Sequence, residues 1–101
     1  MRVVIVEFTA PVFRWEARSD DWYFVALPAE LSDDVREIPR PPRGFGAVAV
    51  RVQVGSSAWR TSIFPDAERG AYVLPLKRSV RIAEGIADDG VVTVRMEILD
   101  S

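Results

Sequence analysis

Between residues 47 and 54 the chain alternates strictly: Val48, Val50, Val52 and Val54 fall on one side, Ala47, Ala49, Arg51 and Gln53 on the other. A period of two with one apolar side describes a strand that rests one face on a core. The pattern returns near the C-terminus, where Val92, Val94, Met96 and Ile98 oppose Thr93, Arg95 and Glu97. Shorter apolar runs read as further strands at residues 3–8, 12–15, 22–27, 58–64 and 71–74. Pro11 predicts a bulge or edge between the first two, Pro28 and Pro65 stop later ones, and Gly55-Ser56-Ser57 makes a turn. One-sided strands in such number build a sandwich or a barrel, not a parallel sheet sheathed in helices.

Two short helices interrupt the strands. Ser32 is placed as an N-cap, with Asp33 and Asp34 on the positive end of the helix dipole before Val35-Arg-Glu-Ile38, and Pro39, Pro41 and Pro42 end the turn. The second helix is predicted over residues 76–84, with Pro75 at its start, Gly85 as a left-handed cap, and Leu76, Val80 and Ala83 as its apolar stripe. These helices expose a repeat. Tyr23-Phe-Val-Ala-Leu27-Pro28 followed by Ser32 and Val35-Arg36 matches Tyr72-Val-Leu74-Pro75 followed by Ser79 and Val80-Arg81, about 47 residues on. A half-chain of that size exposes too much surface to fold alone. The expectation is therefore one domain, residues 1–101, made of pseudo-symmetric halves 1–54 and 55–101 that close one barrel together.

Composition narrows function by exclusion. The 101 residues suit a single domain, with 49% hydrophobic and 28% charged residues. There are no cysteines and no histidines. That removes disulfide scaffolds, thiol nucleophiles, Cys/His zinc sites, the Ser-His-Asp triad and a histidine pH switch. The N-terminus lacks a signal-peptide pattern and no run is long enough to span a bilayer, so the expectation is a cytoplasmic monomer away from the membrane. Charge is uneven: residues 1–35 carry three basic and seven acidic groups, residues 36–82 nine basic and three acidic, residues 83–101 one basic and five acidic. A chain that is acidic overall disfavours non-specific nucleic-acid binding, yet leaves room for a local cationic face.

The strand, Leu-Pro, helix, Gly, strand pattern resembles the swapped-hairpin barrels of AbrB/MazE-type regulators and antitoxins, in which two chains make one split barrel. Pro75, the helix with Lys77, Arg78 and Arg81, and Asp89-Gly90 carry that likeness, with the Gly-Asp turn of those families inverted. More specifically, Arg43-Gly-Phe-Gly-Ala-Val-Ala-Val50, Trp59-Arg-Thr-Ser-Ile-Phe-Pro65 and Tyr72-Val-Leu-Pro-Leu-Lys-Arg-Ser-Val-Arg81 resemble the bacterial domain of unknown function 1905, over residues 8–99. That resemblance implies a small β-barrel and points to no particular activity; Gly85-Ile-Ala-Asp-Asp-Gly90 departs from its turn. The fold expected is mainly β: a small closed or double-split barrel of about six to seven strands with two short helices.

Candidate chemistry is sparse. Arg43-Gly-Phe-Gly-Ala-Val-Ala-Val50 approaches an RNA-recognition signature, but Ala47 and Val50 stand where base-stacking aromatics belong. Lys77 and Arg81 stand four apart with Arg78 beside them, and like charges at that spacing repel. A chain that keeps them suits an anion at that spot. On the strand at 58–64, Trp59 offers a flat apolar wall, with Thr61 or Ser62 supplying hydrogen bonds to a small ligand. The alternative has Trp15, Trp22, Phe45 and Trp59 filling the core. Catalysis would need a Ser-Lys pair, Ser62 or Ser79 with Lys77, or convergent carboxylates, and Asp20-Asp21, Asp33-Asp34 and Asp88-Asp89 read as loop or cap residues. No catalytic residue, metal or cofactor is assigned. The leading expectation is a non-catalytic binding module for a small anionic ligand or an acidic partner segment, with Arg43, Trp59, Thr61, Ser62, Lys77 and Arg81 as its site. Sequence-specific DNA binding by the same basic residues, or a protein-interaction scaffold, are the alternatives.

Overall fold

The computed structural model describes residues 4–14, 22–38 and 46–99. They form β1 (Val4–Arg14), β2 (Tyr23–Ala26), α1 (Ala29–Glu37), β3 (Val48–Val54), β4 (Ser57–Asp66), β5 (Ala71–Pro75), α2 (Arg78–Ala83) and β6 (Val91–Ile98). The six strands close an antiparallel barrel in the order β1-β2-β5-β4-β3-β6. The two longest strands do the closing. β1 runs against β6 from Val4 to Pro11 and then against β2 from Val12; β4 runs against β3 up to Ile63 and then against β5 from Phe64. Pro11 therefore sits inside a continuous strand, at the point where β1 changes partner, rather than breaking it. A residue without an N–H is tolerated where ladder pairing switches sides.

Exchanging β1 with β4, β2 with β5 and β3 with β6 returns the same set of neighbours. The register follows: Phe13 pairs with Phe24 as Phe64 pairs with Val73, and Arg14 with Tyr23 as Pro65 with Tyr72. Leu27 N–H donates to the Tyr72 carbonyl at 2.9 Å, and Leu76 N–H to the Tyr23 carbonyl at 2.8 Å. Tyr23 thus stands to Leu27 as Tyr72 stands to Leu76. The Leu-Pro pairs that advertise the repeat in sequence are displaced from this equivalence, because Pro28 caps α1 whereas Pro75 still belongs to β5. One chain closes the barrel, unlike the two-chain arrangement that the AbrB/MazE likeness implies.

The core follows from the alternation. Val48, Val50, Val52 and Val54 from β3 and Val92, Val94, Met96 and Ile98 from β6 all point inward and are buried. They meet Phe8, Val12, Val25, Leu27, Ile63 and Leu74 in a single apolar cluster. Trp22 is 41% exposed and is not core, because it precedes β2 at the barrel's rim. Trp59 is partly buried and packs against the cluster from its edge, while Trp15 and Phe45, the remaining aromatics assigned to the core, lie outside the described residues.

α1 begins earlier than the acidic pair suggests. Its N-cap is Pro28, with φ of −54°, and Ser32 lies inside the helix, fully buried. The Ser32 hydroxyl oxygen accepts the Tyr72 N–H at 3.0 Å, so the side chain that looked like a cap serves a strand in the other half. α2 ends as predicted. Gly85 has φ of +63°, its N–H donates to the Ile82 carbonyl at 3.3 Å, and Ile86 N–H reaches the Arg81 carbonyl at 2.9 Å. That is a Schellman closure around a residue type that adopts left-handed backbone without strain.

Candidate functional site

β2 and β5 are antiparallel neighbours, so the helices that follow them lie at opposite ends of the barrel. At the α2 end the wall is incomplete. β4 meets β5 only from Phe64 onward, which leaves its first half unpaired on that side. The opening is a cleft of about 690 Å³ lined by Trp22, Tyr23, Trp59, Arg60, Thr61, Pro75, Leu76, Lys77, Arg78, Arg81 and Asp88. Its size falls in the range of small-molecule sites.

Four cations and one carboxylate line it. Among the described residues, Arg60, Lys77, Arg78 and Arg81 form no ion pair, whereas Arg36 pairs with Asp33, Arg51 with Glu97 at 3.4 Å and Arg69 with Asp66 at 3.5 Å. The excess positive charge of the middle segment is thus spent on pairs elsewhere and left uncompensated here. Arg81 is held in place: its guanidinium stacks 4.1 Å from the Tyr23 ring centroid and its Nε donates to the Leu76 carbonyl at 3.2 Å. Lys77 Nζ lies 5.9 Å from the Trp59 ring centroid, within cation–π reach. The far end repeats the stacking motif, with Arg36 of α1 5.7 Å from the centroid of Tyr72.

α2 is tied to this cleft by a carboxylate latch. Glu84 accepts the Ser57 hydroxyl at 2.6 Å, the Ser56 hydroxyl at 3.2 Å and the Ser56 N–H at 3.3 Å. These bonds favour the ionised form, the Ser57 hydroxyl most, and hold the Glu84 carboxyl below its ordinary value against a smaller desolvation effect. Gly55, at φ of +58°, makes the neighbouring turn, and a Cβ there would meet Glu84 Oε1. The latch joins the C-terminal end of α2 to the β3–β4 hairpin whose second strand carries Trp59.

The structure gathers Trp59, Thr61, Lys77 and Arg81 of the sequence-derived set around one cleft. Ser62 is half-buried on β4, paired with Ala49, and does not line it. Arg43 lies outside the described residues. Ser79, offered as a partner for Lys77 in catalysis, is exposed and also absent from the lining. Trp22, expected in the core, and Asp88, expected as a loop or cap residue, join the cleft with Tyr23 and Arg60, since each depends on which strands become neighbours. Tyr23 alone carried a signal, through its match to Tyr72 in the repeat. Among the described residues no group of three carboxylates is placed to hold a metal ion, and no helix is long and apolar enough to cross a membrane.

Fold and cleft together define a small antiparallel β-barrel with an open, cationic cleft at its α2 end. The chain belongs to the family described as Domain of unknown function (DUF1905), whose model matches residues 8–96. No curated protein matches the chain.

Proposed function

We propose that this barrel is a non-catalytic binding module whose open mouth takes a small anionic ligand. The observation that carries the reading is the convergence of Arg60, Lys77, Arg78 and Arg81, all without ion-pair partners among the described residues, on a cleft walled by Trp59 and Tyr23. Like charges gathered at one spot repel, and an anion relieves that repulsion while the aromatic wall excludes water from the contact. Arg81 is fixed by its stack on Tyr23, so little side-chain freedom is lost when it binds.

A thermal-shift panel of inorganic phosphates, sugar phosphates, nucleotides, dicarboxylates, an acidic peptide and a short DNA duplex tests this. A small anion at a hundred times its Kd should stabilise the fold by roughly 2.7 kcal/mol, a shift of several degrees for a domain of this size. The doubly substituted Lys77→Ala, Arg78→Ala protein should keep its own melting point and lose that response, since both side chains are exposed. Displacement of one small ligand gives a shallow dependence on salt. A steep slope with the DNA duplex as the only binder points instead to phosphate-backbone recognition and contradicts the small-ligand reading.

A further inference from the structure

We propose that the ligand class is a nucleoside phosphate, with its heterocycle against the Trp59 face and its phosphate on Lys77, Arg78 and Arg81. This deepens the anion-cleft reading and rests on it. Three features of the lining go beyond what a bare anion needs. Trp22, which is exposed, and Trp59, which is partly buried, put two indole rings into the lining, and an inorganic phosphate or a dicarboxylate leaves these unused. Arg81 presents its guanidinium edge with only Nε committed to the protein, so its terminal amino groups suit the two-point contact that a phosphate accepts. Asp88 is a lone carboxylate in a cationic cleft. It repels a ligand that is anionic throughout and accepts hydrogen bonds from one that also carries hydroxyl or amino donors, as a ribose or an exocyclic amine does.

The other half of the barrel shows that the opening is not imposed by topology. Counting back along the strands from the matched pairs Phe13–Phe24 and Phe64–Val73, Phe8 and Ala10 occupy the positions of Trp59 and Thr61. Phe8 and Ala10 are buried, and α1 sends Val35 into the core with Leu31 and Ile38 packed against it. α2 contributes no side chain to that core cluster. A half-open tryptophan with a hydroxyl beside it therefore replaces a sealed apolar pair, next to a shorter helix that carries the cations.

Equilibrium binding to the full chain, read by tryptophan fluorescence and by calorimetry, separates the possibilities. The probes are AMP, ADP, adenosine, ribose 5-phosphate, inorganic pyrophosphate and an oligo-glutamate peptide. ADP and AMP should bind at least tenfold more tightly than ribose 5-phosphate or pyrophosphate and quench the tryptophan signal. Trp59→Leu should bring the nucleotides down to the affinity of ribose 5-phosphate while leaving pyrophosphate binding unchanged. Trp59→Phe, which keeps an aromatic face, should restore much of the difference and so separates ring recognition from a disturbed fold. Lys77→Ala with Arg78→Ala should weaken every phosphate by tenfold or more. Pyrophosphate or ribose 5-phosphate binding as tightly as ADP, or oligo-glutamate binding more tightly, overturns the nucleoside assignment and leaves the anion cleft standing. No binding by any probe at millimolar concentration overturns both.

Discussion

At one end of the barrel Phe8 and Ala10 are buried, beside a helix of nine residues that sends Val35 into the core. At the other, Trp59 and Thr61 hold the matching strand positions but stay half-open, beside a helix of six residues that buries only Val80. The strands and registers are equivalent, and so are the Leu27–Tyr72 and Leu76–Tyr23 hydrogen bonds and the arginine stacked on each tyrosine. What differs is the helix and the few side chains under it. A barrel built from similar halves can thus be packed shut at one strand pair and left open at its counterpart, without any change to the ladder that holds it closed.

The largest expected break of this comparison is at the aromatic pair. Phe8→Ala empties a fully packed site and should cost about 3–5 kcal/mol in urea unfolding, whereas Trp59→Ala, from a half-solvated site, should cost no more than about 2 kcal/mol. Equal losses would mean that both ends are sealed alike. Next comes Ser32→Ala, which leaves the Tyr72 N–H unsatisfied inside the sealed end and should cost about 1–3 kcal/mol, against a change within about 0.5 kcal/mol for Ser79→Ala on exposed α2. Gly55→Ala places a Cβ at positive φ and against Glu84, and should cost about 1–2 kcal/mol by the same unfolding measurement.

The smallest effect is electrostatic. The folded-state pKa of Glu84 is lowered, so the latch supports the fold above the ordinary carboxylate range and is lost as pH falls through the lowered value. A melting-temperature profile taken downward from pH 7 should decline more for the parent than for Glu84→Gln, which has no carboxylate to protonate. Coincident profiles would show that the latch contributes nothing to stability.

These contrasts also mark where residues disclose the fold and where they do not. β3 and β6 are legible because apolar residues hold every second position along them, with exposed Val91 at the start of β6 the departure, and Gly85 is legible because few residues other than glycine take a left-handed cap. α1 starts where the sequence does not place it. Ser32 followed by Asp33-Asp34 has the local chemistry of a cap, but its hydroxyl is claimed by Tyr72, which is remote in sequence. Pro11 looks like a break because its missing N–H counts against a ladder, and only the switch of β1 from β6 to β2 makes it harmless. Lys77, Arg78 and Arg81 of the cleft stand close together in the chain and could be gathered by eye. Trp22, Arg60 and Asp88 reach it through strand neighbours and loop placement that no local pattern encodes. The Glu84 latch is hidden for the same reason: its partners, Ser56 in the β3–β4 turn and Ser57 at the start of β4, are 28 and 27 residues away in sequence.

One measurement tests the open-mouth claim directly: a titration of the isotopically labelled protein with inorganic pyrophosphate, followed by amide and indole resonances. Saturable shifts should gather at the indole of Trp59 and at the amides of Thr61, Lys77 and Arg78, with the α1 end, Ser32 and Val35 included, unmoved. Shifts of equal size at both ends, or none at the α2 end, would contradict a barrel with one sealed mouth and one anion-binding mouth.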